Sequence, residues 1–319
     1  MQYQALANTD LKVSKIGLGT WAYGDDTFGS VEDKQSIKAI RAAVESGINL
    51  IDTAPAYGAG KAEKIVGEAI KDLRDQVIIA TKCGTHREGS AYVRDLSPAQ
   101  IRKELDLSLT RLQVSQIDIY QIHWPDPDTP LEESLAELLK LKKAGKFKYL
   151  GVCNFELDLL KKISKLTDIV SLQPQYSLLE RKIETKLIPY LLQTKQSTLS
   201  YGTLGGGILS GKYDKKPEFK DEKDNRANFY PFFKEENWQK TADLIKELKN
   251  IADKYDKTPA QVAINWSINQ PGITAALVGA KTEQQARENA AAADFKLTQA
   301  ELIKLSQKST AVIKELTQK

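Results

Sequence analysis

Residues 76–154 carry the reading that decides the fold: QVIIATK (76–82), PAQIRKELDLSLTRL (98–112), IDIYQIH (117–123), LEESLAELLKLKK (131–143) and FKYLGVCN (147–154) succeed one another along the chain. The first, third and fifth pieces are short and almost wholly apolar until their last residues. Strands of a parallel sheet covered on both faces read this way. The pieces between them are longer and amphipathic. Each opens with helix-start chemistry, Ser97-Pro98 and Thr129-Pro130, with proline near the first turn. Strand, helix, strand, helix, strand is a pair of βαβ units.

The alternation continues in both directions. Eight short runs emerge: Lys15–Gly19, Asn49–Thr53, Gln76–Lys82, Ile117–His123, Phe147–Asn154, Ile169–Gln173, Ser197–Thr203 and Ile273–Gly279. Helices are expected at Asp33–Ser46, Pro98–Leu112, Leu131–Lys143, Glu156–Ser164, Ile183–Gln193, Thr241–Tyr255, Pro259–Asn269 and Glu283–Ala292. A last helix is expected at Gln299–Glu315. Eight βα units favour a closed (β/α)₈ barrel over an open doubly wound sheet. No linker or low-complexity stretch divides the 319 residues, so residues 1–319 read as one barrel domain. It carries an N-terminal extension and a C-terminal helix. One connection is too long for an ordinary βα loop, Leu204–Trp238 after the seventh run, and reads as a flap over a ligand site.

Composition narrows the function classes. A formal net charge of +4, with acidic and basic residues interleaved, gives no block for nucleic acid. No run of about 18 apolar residues exists, so no membrane span is expected. Two cysteines, Cys83 and Cys153, form no CxxC and suit a reducing, cytoplasmic compartment. Two histidines exclude a multi-histidine zinc site, and no metal is expected. Monomer and homo-oligomer both remain open.

Two glycine-rich patterns are decoys. Gly17-Leu-Gly-Thr-Trp-Ala22 matches a dinucleotide fingerprint, but a polar loop follows where that pattern needs a helix. Gly206-Gly-Ile-Leu-Ser-Gly-Lys212 nearly matches a phosphate-binding P-loop. Tyr213 stands where Ser or Thr would hold magnesium, and no helix follows.

The chemistry gathers at strand ends. NLIDTAPAYG brings Asp52 and Tyr57, VIIATKCG brings Lys82 and IDIYQIHWP brings His123. A barrel places its active site at the C-terminal rim of its strands, and these four fall there on consecutive strands. Asp52 and Lys82 can pair across the mouth, and a buried lysine needs such a partner. A paired ammonium beside a phenol favours the phenolate, and His123 can orient a carbonyl or share the proton. No activated Ser or Cys nucleophile accompanies them. The set moves protons, and it makes a complete reaction if a cofactor brings the hydride.

The segments GLGTWAYG, NLIDTAPAYG, VIIATKCG, YQIHWP and GVCNF resemble the signature segments of the aldo-keto reductase superfamily, in family order, from about residue 3 to residue 292. YSLLER, GGGILSGKY and the long loop are most similar to bacterial and plant members that handle sugars, inositols and small aldehydes. The resemblance implies a (β/α)₈ barrel and NADP(H), with NAD(H) as a lesser option, for a reductase of aldehydes and ketones. Run in reverse, the same enzyme oxidises a sugar or polyol hydroxyl. It makes Asp52, Tyr57, Lys82 and His123 the catalytic four, with Tyr57 as general acid and base. Gly19, Thr20, Trp21, Asp52, Cys153, Asn154 and Gln173 would bind the cofactor, Asn154 and Gln173 at the nicotinamide carboxamide, and Cys153 stands where the family usually has Ser. Tyr201 would stack on the nicotinamide, and Gly202, Leu204, Gly206, Ser210 and Lys212 would follow the pyrophosphate.

Gly279, Lys281, Gln285, Glu288 and Asn289 fall on the family's adenosine site, with Gln285 where some relatives have Arg. Trp21, Tyr23, Tyr57, His123 and Trp124 would line the substrate pocket. Asp25, Asp26 and Arg87 add polarity that suits a hydroxylated substrate. Two other readings stand beside the enzyme. One is a nicotinamide-binding regulatory subunit with little turnover, like the channel-associated relatives of this superfamily. The other is a cofactor-free barrel isomerase.

Overall fold

In the computed structural model, which describes residues 1–25, 27–88 and 91–316, the eight apolar runs become eight parallel strands closed into a barrel. They are β1 (Ile16–Gly19), β2 (Leu50–Asp52), β3 (Ile78–Cys83), β4 (Ile117–Ile122), β5 (Phe147–Cys153), β6 (Ser171–Gln173), β7 (Ser197–Ser200) and β8 (Ala275–Gly279). Each pairs with its chain neighbours, and β8 closes on β1 with Gly279 opposite Gly19.

Alternation along each strand separates an interior face from a face under the helices. The interior floor is apolar: Leu50, Ile78, Ala80, Ile119, Leu199, Ala275 and Leu277 form one buried cluster. Two residues further along β2, β3 and β4 the same face turns polar. Leu50 leads to Asp52, Ala80 to Lys82, Ile119 to Gln121 and then His123. The hydrophobic run therefore aims each polar residue into the mouth of the barrel. An antiparallel hairpin, Tyr3–Ala5 with Lys12–Ser14, crosses the opposite end. Leu6 and Val13 from this hairpin join the floor cluster, fully buried, and seal it.

Helices α1 (Asp33–Glu45), α2 (Lys61–Ala69), α3 (Pro98–Leu112), α4 (Leu131–Lys143), α5 (Leu157–Leu166) and α6 (Leu187–Thr194) follow the first six strands. Then come α7 (Ala242–Tyr255), α8 (Pro259–Ile268), α9 (Glu283–Ala290) and the C-terminal α10 (Gln299–Glu315). Start signals explain several boundaries. Ser97 caps α3 ahead of Pro98, and Thr258 with Gln261 makes a capping box on α8.

Three elements depart from the sequence reading. Helix α2 lies where no helix is expected, because Gly58, Gly60 and Gly67 lower local helix propensity. Gly67 is there for contact: a Cβ would stand 2.5 Å from the Arg111 carbonyl oxygen of α3. The single helix expected at Ile183–Gln193 divides into a short 3-10 turn and α6, since Pro189 has no N–H to continue an earlier start. A polar hairpin, Thr85–Glu88 with Ala91–Arg94, stands over the mouth after β3.

The long connection after β7 is a strap across the mouth. Its short helical turns at Gly205–Ser210, Arg226–Phe229 and Glu235–Trp238 carry it to the loop that follows β1. There the Gly29 amide donates to the Lys223 carbonyl at 3.2 Å, Asn225 N–H to Thr27 O at 2.8 Å, and Ser30 N–H to the Asp221 carboxylate at 2.7 Å. Among the described residues, no helix is long and apolar enough to cross a membrane.

Candidate active site

The four polar residues expected at the rim converge. Lys82, wholly buried on β3, donates from Nζ to Asp52 Oδ2 at 2.7 Å, to the Thr53 carbonyl at 2.9 Å and to Tyr57 Oη at 3.1 Å. All three ammonium protons are thereby directed. Asp52 Oδ1 accepts from Gln173 Nε2 at 2.7 Å and from Gln121 Nε2 at 3.4 Å. The buried ion pair is thus completed by hydrogen bonds, the condition under which burial of two charges is tolerated. His123 packs edge-on to the Tyr57 ring with centroids 5.9 Å apart. Burial, with Lys82 and Arg94 nearby, holds its imidazole pKa well below the usual histidine value, so His123 is neutral.

Tyr57 does not lie on a strand, and its position depends on the loop. Gly58, Ala59 and Gly60 follow it with φ of 60°, 51° and 90°. Gly58 packs against the next loop so closely that a Cβ would come within 2.3 Å of the Gly24 carbonyl oxygen. The turn therefore brings the phenol back over Lys82. Trp21 lies nearly parallel to the ring, centroids 6.0 Å apart.

These groups open onto a cavity of about 940 Å³ that runs along the barrel mouth beneath the strap. Tyr57, His123, Trp21, Trp124 and every residue named above for the cofactor line it. Asn154 donates to the His123 carbonyl at 3.1 Å and accepts from Tyr201 Oη at 2.9 Å, so the aromatic ring is held by its hydroxyl. Cys153 is buried, with Asn154 Nδ2 at 3.1 Å and Gln173 Oε1 at 3.6 Å from its sulfur. Ser210 donates to Gly207 O at 2.6 Å. Asn289 Nδ2 reaches Gly279 O at 3.1 Å, and Gln285 Oε1 accepts from the Lys281 amide at 2.7 Å. The last contact sets the loop entering α9.

Tyr23 is a correction. It is wholly buried and not part of the cavity; its hydroxyl donates to the Ala280 carbonyl at 2.7 Å. The 3-10 turn Trp21–Gly24 sends Trp21 to the mouth and rotates Tyr23 into the core between the first and eighth loops. Asp25 also points elsewhere, pairing with Lys61 at 2.6 Å. Asp26 lies outside the described residues, while Arg87 lines the cavity.

Other lining residues are absent from the sequence reading. Phe28 and Phe229 close edge-on over Trp21, at 5.1 and 4.8 Å. Arg226, held by Asp224, approaches the same end of the cavity as Lys281 and Lys212. Burial, with Arg226 and Lys212 close by, pushes the Lys281 ammonium below the ordinary lysine value. Cations crowded this way fit an anion such as a phosphate. Nothing in the polar loop Lys212–Phe233 marks Arg226 beforehand, because its position depends on how the strap folds.

The model of the Aldo/keto reductase family matches residues 15–309. The chain belongs to the aldo/keto reductase family. Among curated aldo-keto reductases, the chain is 40% identical over 288 residues to YhdN of Bacillus subtilis, covering 89% of this chain and 86% of that one. It is 34% identical to the NADH-specific methylglyoxal reductase of Escherichia coli, over 93% and 94% of the two chains. Its barrel superposes on the glycerol dehydrogenase of Gluconobacter oxydans with a TM-score of 0.87 and 36% identity, covering 96% and 94%. An aldo/keto reductase of Klebsiella pneumoniae, solved with NADP and acetate, gives 0.75 at 28% identity over 94% and 93%. As an aldo-keto reductase the protein is an oxidoreductase with a (β/α)₈ barrel.

Proposed function

We propose that this aldo-keto reductase interconverts an aldehyde or ketone and its alcohol with NADP(H), using Tyr57 as the proton donor and acceptor. The observation that carries the proposal is the Lys82 ammonium, 3.1 Å from Tyr57 Oη and 2.7 Å from Asp52. When bound, the nicotinamide supplies or accepts the hydride.

In reduction, Tyr57 gives its proton to the carbonyl oxygen as negative charge grows there. Lys82 stabilises the phenolate left behind, and Asp52 keeps Lys82 aimed at it. Neutral His123 donates a hydrogen bond to the same oxygen and fixes its position. In oxidation Tyr57 takes the proton back. Asn154 and Gln173 are the amides that would hold the carboxamide, with Tyr201 against the ring. Gly202 to Lys212 would follow the pyrophosphate. Lys281, Arg226 and Lys212 are the cations that would favour a 2′-phosphate, so NADP(H) is the preferred cofactor and NAD(H) the weaker one. Both cysteines are buried free thiols, which suits a cytoplasmic protein.

Tyr57→Phe should lower turnover of a reducible aldehyde by roughly 10²–10⁴ while leaving NADPH binding in place. Unchanged turnover in a folded variant would remove Tyr57 from the reaction.

A further inference from the structure

The hairpin after β3 presents one face to the cavity. Its register sets Thr85 opposite Arg94 and Arg87 opposite Tyr92. Directly opposed residues, and residues two apart, share a face, and these four all line the cavity. His86 and Glu88 face the other way, with His86 against Glu88 at 3.3 Å and Glu104 at 3.7 Å. The hairpin therefore turns Arg87 and Arg94 toward the cavity and His86 and Glu88 away from it.

Both guanidinium groups lie over aromatic rings, Arg94 4.7 Å from the Trp124 centroid and Arg87 5.1 Å from that of Tyr92. For Arg94, stacking of this kind covers one face of the guanidinium and leaves its in-plane N–H groups for an oxyanion. Arg94 makes no ion pair among the described residues, and the ring it covers belongs to Trp124, the residue that follows His123. Thr85 Oγ1 is buried without a hydrogen-bond partner among the described residues. The carboxylates lining the cavity among those residues are Asp52, taken by Lys82 and the two glutamines, and Glu288 at the far end beside α9.

We infer that the substrate carries a carboxylate or phosphate, bound by Arg94, while its carbonyl lies at Tyr57 and His123. This rests on the reductase reading and names its substrate class. Arg94 is a specificity-determining residue. It does not take part in the proton transfer.

Two matched pairs test the inference, with NADPH oxidation as the readout: 4-oxobutanoate against butanal, and glyceraldehyde 3-phosphate against glyceraldehyde. The anionic member of at least one pair should show a kcat/KM about tenfold or more above its neutral partner, and the pair that does so tells carboxylate from phosphate. Arg94→Met should lower that ratio by about tenfold, the loss of one charge-assisted contact, chiefly through KM. Arg94→Lys should retain part of it, and added salt should erode it. Equal or better use of the neutral member in both pairs overturns the inference, as does a ratio that survives Arg94→Met. Turnover of butanal and glyceraldehyde tests the reductase reading separately, so that reading can stand while this one falls. Calorimetric titration of succinate and of inorganic phosphate into the NADP⁺-loaded protein gives a readout without turnover. Binding of one of them, weakened in Arg94→Met, supports the inference. Absence of binding by both overturns it.

Discussion

Lys82 illustrates how much one side chain depends on its neighbours. Its ammonium is wholly inside the protein and survives there because a carboxylate, a backbone carbonyl and a phenol oxygen each take one proton. Lys281 donates to the Phe28 carbonyl and sits among charges of both signs. It is crowded by Arg226 and Lys212, and an anion in the cavity would relieve that repulsion. Lys281→Met should therefore cut the preference for NADPH over NADH by about tenfold in kcat/KM, the scale of one charge-assisted hydrogen bond. An unaltered ratio would place the 2′-phosphate elsewhere. His123 makes a pH prediction. Its folded pKa lies below the value of about 6.5 that an unfolded chain gives. Above that value both states are neutral and the histidine contributes nothing against folding. As pH falls below it, the unfolded chain takes a proton that the folded one refuses, and stability is lost at up to about 1.4 kcal/mol per pH unit. Urea unfolding of the wild type and His123→Gln between roughly pH 5 and pH 7 should show a shallower slope in the variant.

At the scale of elements, the turn after β2 decides where the phenol sits. Gly58→Ala combines a left-handed backbone with a 2.3 Å approach to the Gly24 carbonyl oxygen. The expected cost is about 1–2 kcal/mol for the backbone alone, with a loss of kcat exceeding the loss of NADPH affinity. Full activity in that variant would mean that the loop can shift without moving Tyr57. The strands and their polar ends were readable because a run such as VIIATK states both its burial and its direction: alternate residues share a face, so Lys82 follows Ala80 inward. Helix α2 was not readable, because three glycines mask an apolar stripe of Ala62, Ile65, Val66 and Ala69. Tyr23 was misread because its direction depends on a one-turn helix that no periodicity announces. Arg94 and Arg226 reach the cavity through a hairpin and a strap whose folds rest on tertiary contacts.

Across the whole molecule, the strap joins two loops far apart in sequence: Ser30 meets Asp221, 191 residues away. A cofactor lying beneath it would leave only after those contacts part. Asp221→Ala removes the acceptor for the Ser30 amide and should speed NADPH release in stopped flow by about five- to tenfold, as expected for one to two kcal/mol of lost hydrogen bonding. An unchanged release rate would show that the strap does not limit exit. The barrel floor carries a different consequence. Leu6 and Val13 precede every strand they seal, and their partners include Ala275 and Leu277 near the other end of the chain. A growing polypeptide therefore holds this stopper before the vessel it fits is finished. Until the eighth strand emerges and the cylinder closes, that greasy pair has no complete floor to seal, so the final drying of the interior waits for β8.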